Sequence, residues 1–177
     1  MKILILGAGV TGSSVAAALA SEENDIVVVD FKTELLDALK ERFDIATVAG
    51  NAAHPSILEQ AGVSTADIVI AVTDRDETNM LACLIINSSY SRPKTIARVR
   101  ALDYLTHPQL FSNDGIPIDY VISPEQIVMQ SIRNLIECPG VLHLSDFAGG
   151  LVRLFSVKVV AEGFFNQQKN QRVKKTF

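Results

Sequence analysis

Three glycines near the start of the sequence have the spacing of a phosphate-binding loop. Gly7, Gly9 and Gly12 form G-x-G-x-x-G, directly after the apolar run KILIL and directly before a segment of helical period. Gly7 permits a tight turn, Gly9 lets the backbone approach a pyrophosphate without an intervening Cβ, and Gly12 allows the helix to pack closely on the strand. The positive end of that helix would then face the phosphates. The pattern predicts a dinucleotide-binding loop, and a purely structural turn is the alternative.

A carboxylate follows at the distance that such a loop requires. The second apolar run, DIVVVD, ends in Asp30, 23 positions after Gly7. An acidic residue roughly 20 positions on is expected to bind the ribose hydroxyls of an adenine nucleotide. Its charge would repel a 2′-phosphate and so favours NAD over NADP, a preference that Lys32 and Lys40 weaken slightly. The alternative is a solvated aspartate at a strand end.

Two further apolar runs end in residues that belong to the same predicted edge. Gly50 closes the third run and is followed by Asn51 and Ala52, where an amide could contact the adenine edge or the ribose. The fourth run ends in Thr73 and Asp74, across the point where the strand order of such a sheet reverses. Ligands of parallel sheets bind at that point, so we expect these residues near the second half of a dinucleotide.

Two arginines end the fifth apolar run. Strand alternation would place Arg98 and Arg100 on the same face. Two guanidinium groups beside a pyrophosphate could neutralise it or bind one further phosphate in a bidentate manner. A charged rim that only keeps the domain soluble is nearly as good an interpretation.

The elements that must hold these residues alternate along the chain. Strands are predicted at 2–6, 25–30, 45–50, 67–73, 95–100 and 119–123. Helices are predicted directly after Gly9, at 33–43, from Pro55, at 77–90 and, briefly, at 108–114. Continuous apolar strands alternating with helices are typical of a parallel sheet covered on both faces. The predicted fold class is therefore α/β, a Rossmann-like doubly wound parallel sheet of six strands over residues 1–123, with a crossover helix and a C-terminal extension.

The pattern changes at Pro124. Residues 124–137 carry an apolar stripe at helical spacing, and we interpret 124–150 as a crossover and assembly helix with a linker. A further strand is predicted at 151–160, followed by a polar and basic tail that we expect to be frayed. Residues 151–177 then form a separate C-terminal segment.

Composition argues against several classes of protein. The 16 Lys and Arg residues against 20 Asp and Glu give a net charge of −4, without the basic excess expected of a nucleic-acid partner. No apolar run reaches the roughly 18 to 20 residues that span a bilayer, and the start lacks the apolar region of a signal peptide. Cys83 and Cys138 lie far apart in apolar segments, which is typical of free thiols in a reducing compartment. We expect a cytoplasmic protein.

Catalytic parts are not evident around the predicted nucleotide. A dehydrogenase needs a general acid or base and a substrate pocket, and the three histidines are better interpreted as capping or packing residues. Tyr90 and Lys94 have the spacing of the short-chain dehydrogenase pair, but Pro93 would break the helical turn that they must share. We predict neither catalytic nor metal-binding residues. A small NAD-dependent oxidoreductase and a redox-sensing, NADH-binding regulator remain as alternatives.

Five segments together resemble a known family. The segments LILGAGVTGSSVA, VVVD, GNAAHPSILEQAGV, ADIVIAVTDRDETNM and TIARVR occur in one order and spacing. They resemble the regulator-of-potassium-conductance (RCK/KTN) family, as found in the cytosolic regulatory subunits of bacterial Trk potassium-uptake systems. The resemblance covers roughly residues 1–155, and its specific parts are G-N-A and T-D-x-D-E-x-N at two strand ends.

The resemblance implies a switch and not an enzyme. Members bind NAD(H), or ATP and ADP, in the Rossmann crevice and assemble as dimers into a ring beneath a membrane-embedded potassium transporter subunit of the Trk type. This implies a protein associated peripherally with the inner face of the cell membrane through that partner. A ligand gates such a pore only to the extent that it binds one conformation better than another.

The family's ligand contacts can be carried over to matching positions. The resemblance implies that the phosphates contact Gly7, Gly9 and Gly12, with Ala8, Val10 and Thr11 between them, and that the ribose contacts Asp30. It further implies adenosine contacts from Asn51 and Ala52, contacts to the second half of the ligand from Thr73 and Asp74, and terminal-phosphate contacts from Arg98 and, more weakly, Arg100.

Assembly into a ring would need exposed apolar faces. The helix at 124–137 and the apolar segment 80–86 are the candidates, and ordinary burial in the core is the alternative for both. Members of the family usually continue into a small C-terminal ligand-binding subdomain, and the bacterial subunit often repeats the whole unit. The resemblance therefore implies that residues 151–177 are the start of a truncated C-terminal subdomain, and we expect this chain to be a fragment or a truncated form.

Overall fold

The computed structural model describes residues 1–20, 22–90, 93–112, 115–137, 141–147 and 152–157. The chain divides into two compact units, Met1–Pro124 and Glu125–Phe177. The first unit contains every residue that the sequence predicts to contact a ligand.

Six parallel strands form the sheet of the first unit, in the order β3-β2-β1-β4-β5-β6. They are β1 Lys2–Leu6, β2 Asp25–Asp30, β3 Ala46–Ala49, β4 Ile68–Ala71, β5 Lys94–Arg98 and β6 Tyr120–Ile122. In the register of the central strand, Leu4 lies opposite Val27 of β2 and Val69 of β4. The strand order reverses between β1 and β4. The predicted Rossmann-like, doubly wound α/β fold is confirmed.

Helices cover both faces of this sheet. They are α1 Val10–Leu19, α2 Thr33–Lys40, α3 Pro55–Gln60, α4 Asp76–Ser89 and the short α5 Leu102–Leu105, with a 3-10 turn at Pro108–Phe111. Neighbouring residues of β1 point to opposite faces. Ile5 belongs to a buried cluster with Leu36 of α2, whereas Leu4 belongs to one with Leu58 of α3 and Ile86 of α4. The continuous apolar run of β1 follows from this burial on both sides.

Two strands end earlier than their apolar runs predict. β4 ends at Ala71 and β5 ends at Arg98, each two residues before the predicted bound. The chain leaves the ladder here because polar groups bind the backbone instead: the N–H of Thr73 donates to the side chain of Asn79, at 2.9 Å. Arg100 therefore lies beyond the strand, where alternation no longer fixes the face on which its side chain lies.

The segment 80–86, proposed from the sequence as an assembly face, lies mostly in the core. Met80, Ala82, Cys83 and Ile86 of α4 are buried, and only the side of the helix that carries Leu81 (47 % exposed) faces solvent. That prediction is wrong for most of the segment. The physical reason is that α4 packs on the sheet beside β4 and β5, and its apolar side chains complete the core there.

Helix α6, Pro124–Glu137, has the predicted bounds. It leaves an apolar stripe exposed, in which Ile127, Ile132 and Leu135 are each more than half exposed. In the part of the chain that the structure describes, no helix combines the length and the hydropathy needed to cross a membrane.

An antiparallel hairpin follows α6 in the second unit. Strand β7, Val141–Phe147, pairs with β8, Val152–Val157, and Leu144 lies opposite Phe155. The predicted strand at 151–160 is observed over 152–157. The predicted linker is wrong at β7, because a seven-residue run with polar residues among its apolar ones is a weak strand signal until its partner is known. Cys138 and the predicted polar tail lie outside the described residues.

Candidate functional site

A cleft of about 830 Å³ opens at the carboxyl ends of the strands, across the point where the strand order reverses. Most of the predicted ligand contacts line this cleft: Gly7, Gly9, Val10, Thr11, Asp30, Asn51, Ala52, Thr73, Asp74 and Arg98. Ala8, Gly12 and Arg100 do not line it. The sequence did not single out six further lining residues, which are Val29, Phe31, Leu35, Val72, Arg75 and Thr78. The cleft is large enough for a nucleotide, since small-molecule sites typically measure about 300–1,000 Å³.

The glycine loop connects β1 to α1 with three different steric requirements. Gly7 has a φ of +109°, which side chains rarely adopt, and a Cβ there would lie 2.9 Å from the backbone of Thr73. A Cβ on Gly12 would lie 1.8 Å from the carbonyl oxygen of Gly7, inside the tight contact between helix and strand. A Cβ on Gly9 would meet nothing within 4 Å. Gly7 and Gly12 are therefore needed for the fold, whereas the space at Gly9 is left open at the helix N-terminus.

Asp30 connects the end of β2 to this loop. Its Oδ2 accepts a hydrogen bond from the N–H of Ala8 at 2.7 Å, and its Oδ1 accepts one from the N–H of Lys32 at 2.9 Å. Each carboxylate oxygen can accept more than one hydrogen bond, so both retain capacity toward the cleft. The carboxylate thus holds the glycine loop and also presents negative charge to the cleft wall.

The third strand contributes a compact turn to the cleft. The Oδ1 of Asn51 accepts a hydrogen bond from the N–H of Ala53 at 2.9 Å, while Ala52 is buried beneath it. The exposed side chain of Asn51 is thereby fixed by its own turn. Close by on the cleft wall lie the ring of Phe31, which is 65 % exposed, and the Nζ of Lys32, which lies 5.4 Å from the centre of that ring.

A buried asparagine that the sequence analysis missed holds the far wall of the cleft. The Oδ1 of Asn79 accepts from both the N–H and the hydroxyl of Thr73, at 2.9 and 2.7 Å, and its Nδ2 donates to the carbonyl oxygen of Arg98 at 2.9 Å. The side chain of Asn79 is fully buried. The motif T-D-x-D-E-x-N already contained this residue, but its spacing alone does not reveal which backbone groups it binds.

The two arginines have different surroundings. Arg98 lines the cleft, and its Nη1 donates to the hydroxyl of Thr11 at the start of α1, at 3.2 Å. Arg100 instead donates from Nε to Oδ1 of Asp76 at 3.3 Å and from its Nη2 to the carbonyl oxygen of Asp74. The expectation that both share one face of a strand is wrong, because β5 ends at Arg98 and Asp76 draws Arg100 toward the N-terminus of α4.

These residues define a site suited to a phosphorylated ligand. The N-terminus of α1 with its open space at Gly9 can accommodate negative charge, and the guanidinium of Arg98 lies beside it, bonded to Thr11. Asp30 and the rim around Phe31 offer an acceptor and an exposed ring. Together they fit a nucleotide with its phosphates at the glycine loop, as expected at a topological switch point.

Comparison with known proteins identifies the family. The sequence profile described as the TrkA-N domain matches residues 3–124. This match covers the whole sheet and the cleft, and the chain belongs to the TrkA-N family.

The curated relatives are longer than this chain. The Trk system potassium uptake protein TrkA of Halomonas elongata is 52 % identical over 163 residues, which are 92 % of this chain and 36 % of the relative. The protein of the same name from Vibrio alginolyticus is 42 % identical over 164 residues, again 92 % of this chain and 36 % of the relative. The chain therefore spans about a third of the length of these relatives.

Solved structures share the fold at low sequence identity. The TrkA-N domain of the inner membrane protein ybaL from Escherichia coli is 21 % identical, with a TM-score of 0.67 over 76 % of this chain and 96 % of that one. The GsuK channel bound to NAD is 24 % identical, with a TM-score of 0.63 over 84 % of this chain and 26 % of that one. GsuK bound to ADP is also 24 % identical, with a TM-score of 0.62 over 77 % of this chain and 34 % of that one.

Proposed function

We propose that this chain is the nucleotide-binding part of a cytoplasmic regulatory subunit of a Trk-type potassium-uptake transporter. In this proposal the cleft binds NAD(H), or ATP and ADP, and the nucleotide acts as a regulator and not as a substrate. The observation that carries the nucleotide part is the combination of an open helix N-terminus at Gly9 with the carboxylate of Asp30 on the same cleft wall. The potassium part is supported by the relatives, two of which are named Trk system potassium uptake protein TrkA.

The ligand is proposed to lie with its phosphates at the N-terminus of α1. There the backbone N–H groups of the first helical turn have no partner within the helix and can donate to phosphate oxygens. The adenosine would lie toward Asp30 and Asn51, and the second half of the ligand toward Thr73, Asp74 and Arg98. NAD and ADP, the ligands named for the structural neighbour GsuK, both contain adenosine and a diphosphate.

Asp30 is proposed to select against a 2′-phosphate. A carboxylate accepts hydrogen bonds from ribose hydroxyls and repels a phosphate in the same position. Lys32, whose N–H already donates to Asp30 and whose Nζ lies over Phe31, partly offsets that repulsion. We therefore propose that NAD(H) binds more tightly than NADPH.

We further propose that the chain acts as an oligomer on a membrane-embedded partner. The stripe on α6 that includes Ile127, Ile132 and Leu135 is more than half exposed in the single chain, as expected for a surface that pairs with a second copy. Dimers assembled into a ring beneath the pore subunit would convert a nucleotide-dependent change of conformation into gating. Only a difference in affinity between two conformations can do so.

Thermal unfolding with added nucleotides tests the ligand. At 100 times its dissociation constant a ligand adds about 2.7 kcal/mol to the free energy of unfolding, or roughly 5–10 °C in Tm for a chain of this size. We expect shifts with NAD+, NADH, ATP and ADP and little shift with NADPH. Unchanged unfolding with all five nucleotides would overturn the proposal.

Vesicle flotation tests the partner. The chain would be mixed with proteoliposomes that contain a Trk-type membrane subunit, with protein-free liposomes of the same lipid composition as the control. We expect the chain to float with the first and not with the second, and the bound fraction to differ between NADH and ATP. Equal flotation with both liposomes, or with neither, contradicts the proposed partnership.

A further inference from the structure

Asn79 does not line the cleft, but it binds two residues that do, Thr73 and Arg98. It lies in the first turn of α4, and its side chain contacts the residues that follow β4 and end β5. Thr73 and Arg98 both line the cleft, whereas Asn79 does not. One buried carboxamide therefore connects two cleft residues that are far apart in the sequence.

Among side chains of this size, only an amide can make all of these contacts. Oδ1 accepts twice from Thr73, and Nδ2 donates to the carbonyl oxygen of Arg98 at 2.9 Å and to that of Thr73 at 3.4 Å. An aspartate has the acceptors but lacks the donor, and an alanine lacks both. Without the amide, the N–H of Thr73 and the carbonyl oxygen of Arg98 lose partners in a partly buried place, so the two strand ends lose the group that fixes their separation.

Asp76, three residues earlier in the same turn of α4, adds to the same arrangement. Its carboxylate is 6 % exposed and accepts from the N–H groups of Arg100 and Ala101, both at 2.8 Å. The first turn of α4 thus holds the chain on either side of the buried Val99. α4 thus holds Thr73, which follows the end of β4, together with the carbonyl group of Arg98, the last residue of β5.

We propose that Asn79 is a positioning residue for the second half of the nucleotide site. By fixing Thr73 and the backbone at Arg98, it sets the affinity for those parts of a ligand that extend beyond the first phosphate, and it leaves the affinity for the adenosine and first phosphate unchanged. This inference rests on the proposed nucleotide binding. It assigns the selectivity for ADP and NAD+ over AMP to a side chain that does not line the cleft.

Calorimetric titration of the full chain with AMP, ADP and NAD+ tests this. In Asn79→Ala we expect the dissociation constants of ADP and NAD+ to rise roughly tenfold, the factor that corresponds to about 1.4 kcal/mol. We expect that of AMP to change by less than about twofold. Asn79→Asp, which keeps the size and loses the donor to Arg98, carries the same expectation and replaces the alanine variant if that variant does not fold.

Asn87 supplies a matched control on the same helix. Its Nδ2 donates to the carbonyl oxygens of Cys83 and Pro117 and to the hydroxyl of Thr95, away from the cleft lining. Asn87→Ala should lower the Tm comparably and leave the ratio of NAD+ to AMP affinity as in the wild type. A parallel loss for AMP, ADP and NAD+ in the Asn79 variants, or a ratio that moves equally in Asn87→Ala, overturns the inference. A wild-type chain that binds none of the three instead contradicts the proposed function itself.

Discussion

The carboxylate of Asp30 accepts a hydrogen bond from the backbone N–H of Ala8 at 2.7 Å, and this contact joins the end of β2 to the glycine loop. The residue that faces the proposed ribose position is therefore also part of the structure of the phosphate loop. A change at Asp30 acts on both ends of the adenosine diphosphate moiety at once.

Asp30→Asn tests this double role. The asparagine can accept from Ala8 or from Lys32 but not from both, and it removes the charge that opposes a 2′-phosphate. We expect NAD+ to bind about tenfold more weakly and the preference for NADH over NADPH to shrink by a similar factor, measured by calorimetric titration. Asp25→Asn, at the opposite end of the same strand, should change neither value. Unaltered discrimination in Asp30→Asn would show that the carboxylate does not face the ligand.

Two glycine-to-alanine variants separate the fold of the loop from its proposed ligand. Gly12→Ala places a methyl group against the carbonyl oxygen of Gly7, and we expect a loss of about 3 kcal/mol or more in the free energy of unfolding. Gly9→Ala meets open space, so its free energy of unfolding without ligand should match the wild type to within about 1 kcal/mol. Its methyl group would nevertheless occupy the position proposed for the pyrophosphate, and the Tm shift with NAD+ should disappear. If Gly9→Ala kept the full Tm shift with NAD+, the phosphates would have to bind elsewhere in the cleft.

A buried polar cluster fixes the edge strand β6. The hydroxyl of Thr95, which is fully buried, donates to Asp119 at 3.1 Å and accepts from Asn87 at 3.1 Å. Thr95→Val keeps the shape and removes these two bonds and the one that the hydroxyl accepts from the N–H of Asp119 at 3.3 Å. We expect a loss of about 1–3 kcal/mol in urea unfolding. Thr47→Val, on the opposite edge strand, should cost much less, and equal losses at the two positions would contradict the role of the cluster.

The buried thiol of Cys83 makes the free energy of unfolding depend on pH in the alkaline range. Burial raises the pKa of Cys83 from 9.0 to about 12, and the negative charge of Asp119 adds to the rise. Above pH 9 the unfolded chain releases this proton while the folded chain keeps it, so the free energy of unfolding falls as pH rises, by about 1.4 kcal/mol per pH unit. Urea unfolding from pH 8 to 10.5 should therefore decline more steeply for the wild type than for Cys83→Ala. Parallel profiles would mean that the thiol titrates normally in the folded protein.

The glycine loop, Asp30 and the sheet were predictable because each depends on a local requirement. A positive φ at Gly7 and a missing Cβ at Gly12 restrict the residue type directly, and burial on both faces makes each strand a continuous apolar run. The polar positions at strand ends then follow from the parallel arrangement, which collects them at one edge.

The interpretations that failed depend on contacts between distant segments. The role of Asn79 depends on the carbonyl oxygen of Arg98, which comes beside it only when β4 and β5 pair. The same pairing, and the early end of β5, decide where Arg100 points. For residues 80–86, the apolar composition of a core face and of an assembly face is the same, so the sequence alone could not separate them.

β1 lies in the middle of the sheet although it precedes the other five strands of that sheet in the sequence. One of its partners, β2, follows soon, but the other waits until Ile68 has been made, and the far wall of the cleft waits for Arg98. At about 5–20 residues per second, the first hundred residues take roughly 5–20 s to synthesise. During that time the nascent chain has a glycine loop without the opposite wall, and β1 has an open edge able to pair with another chain. The cleft that we propose for nucleotides is thus completed only when β4 has paired with β1 and β5 has paired with β4.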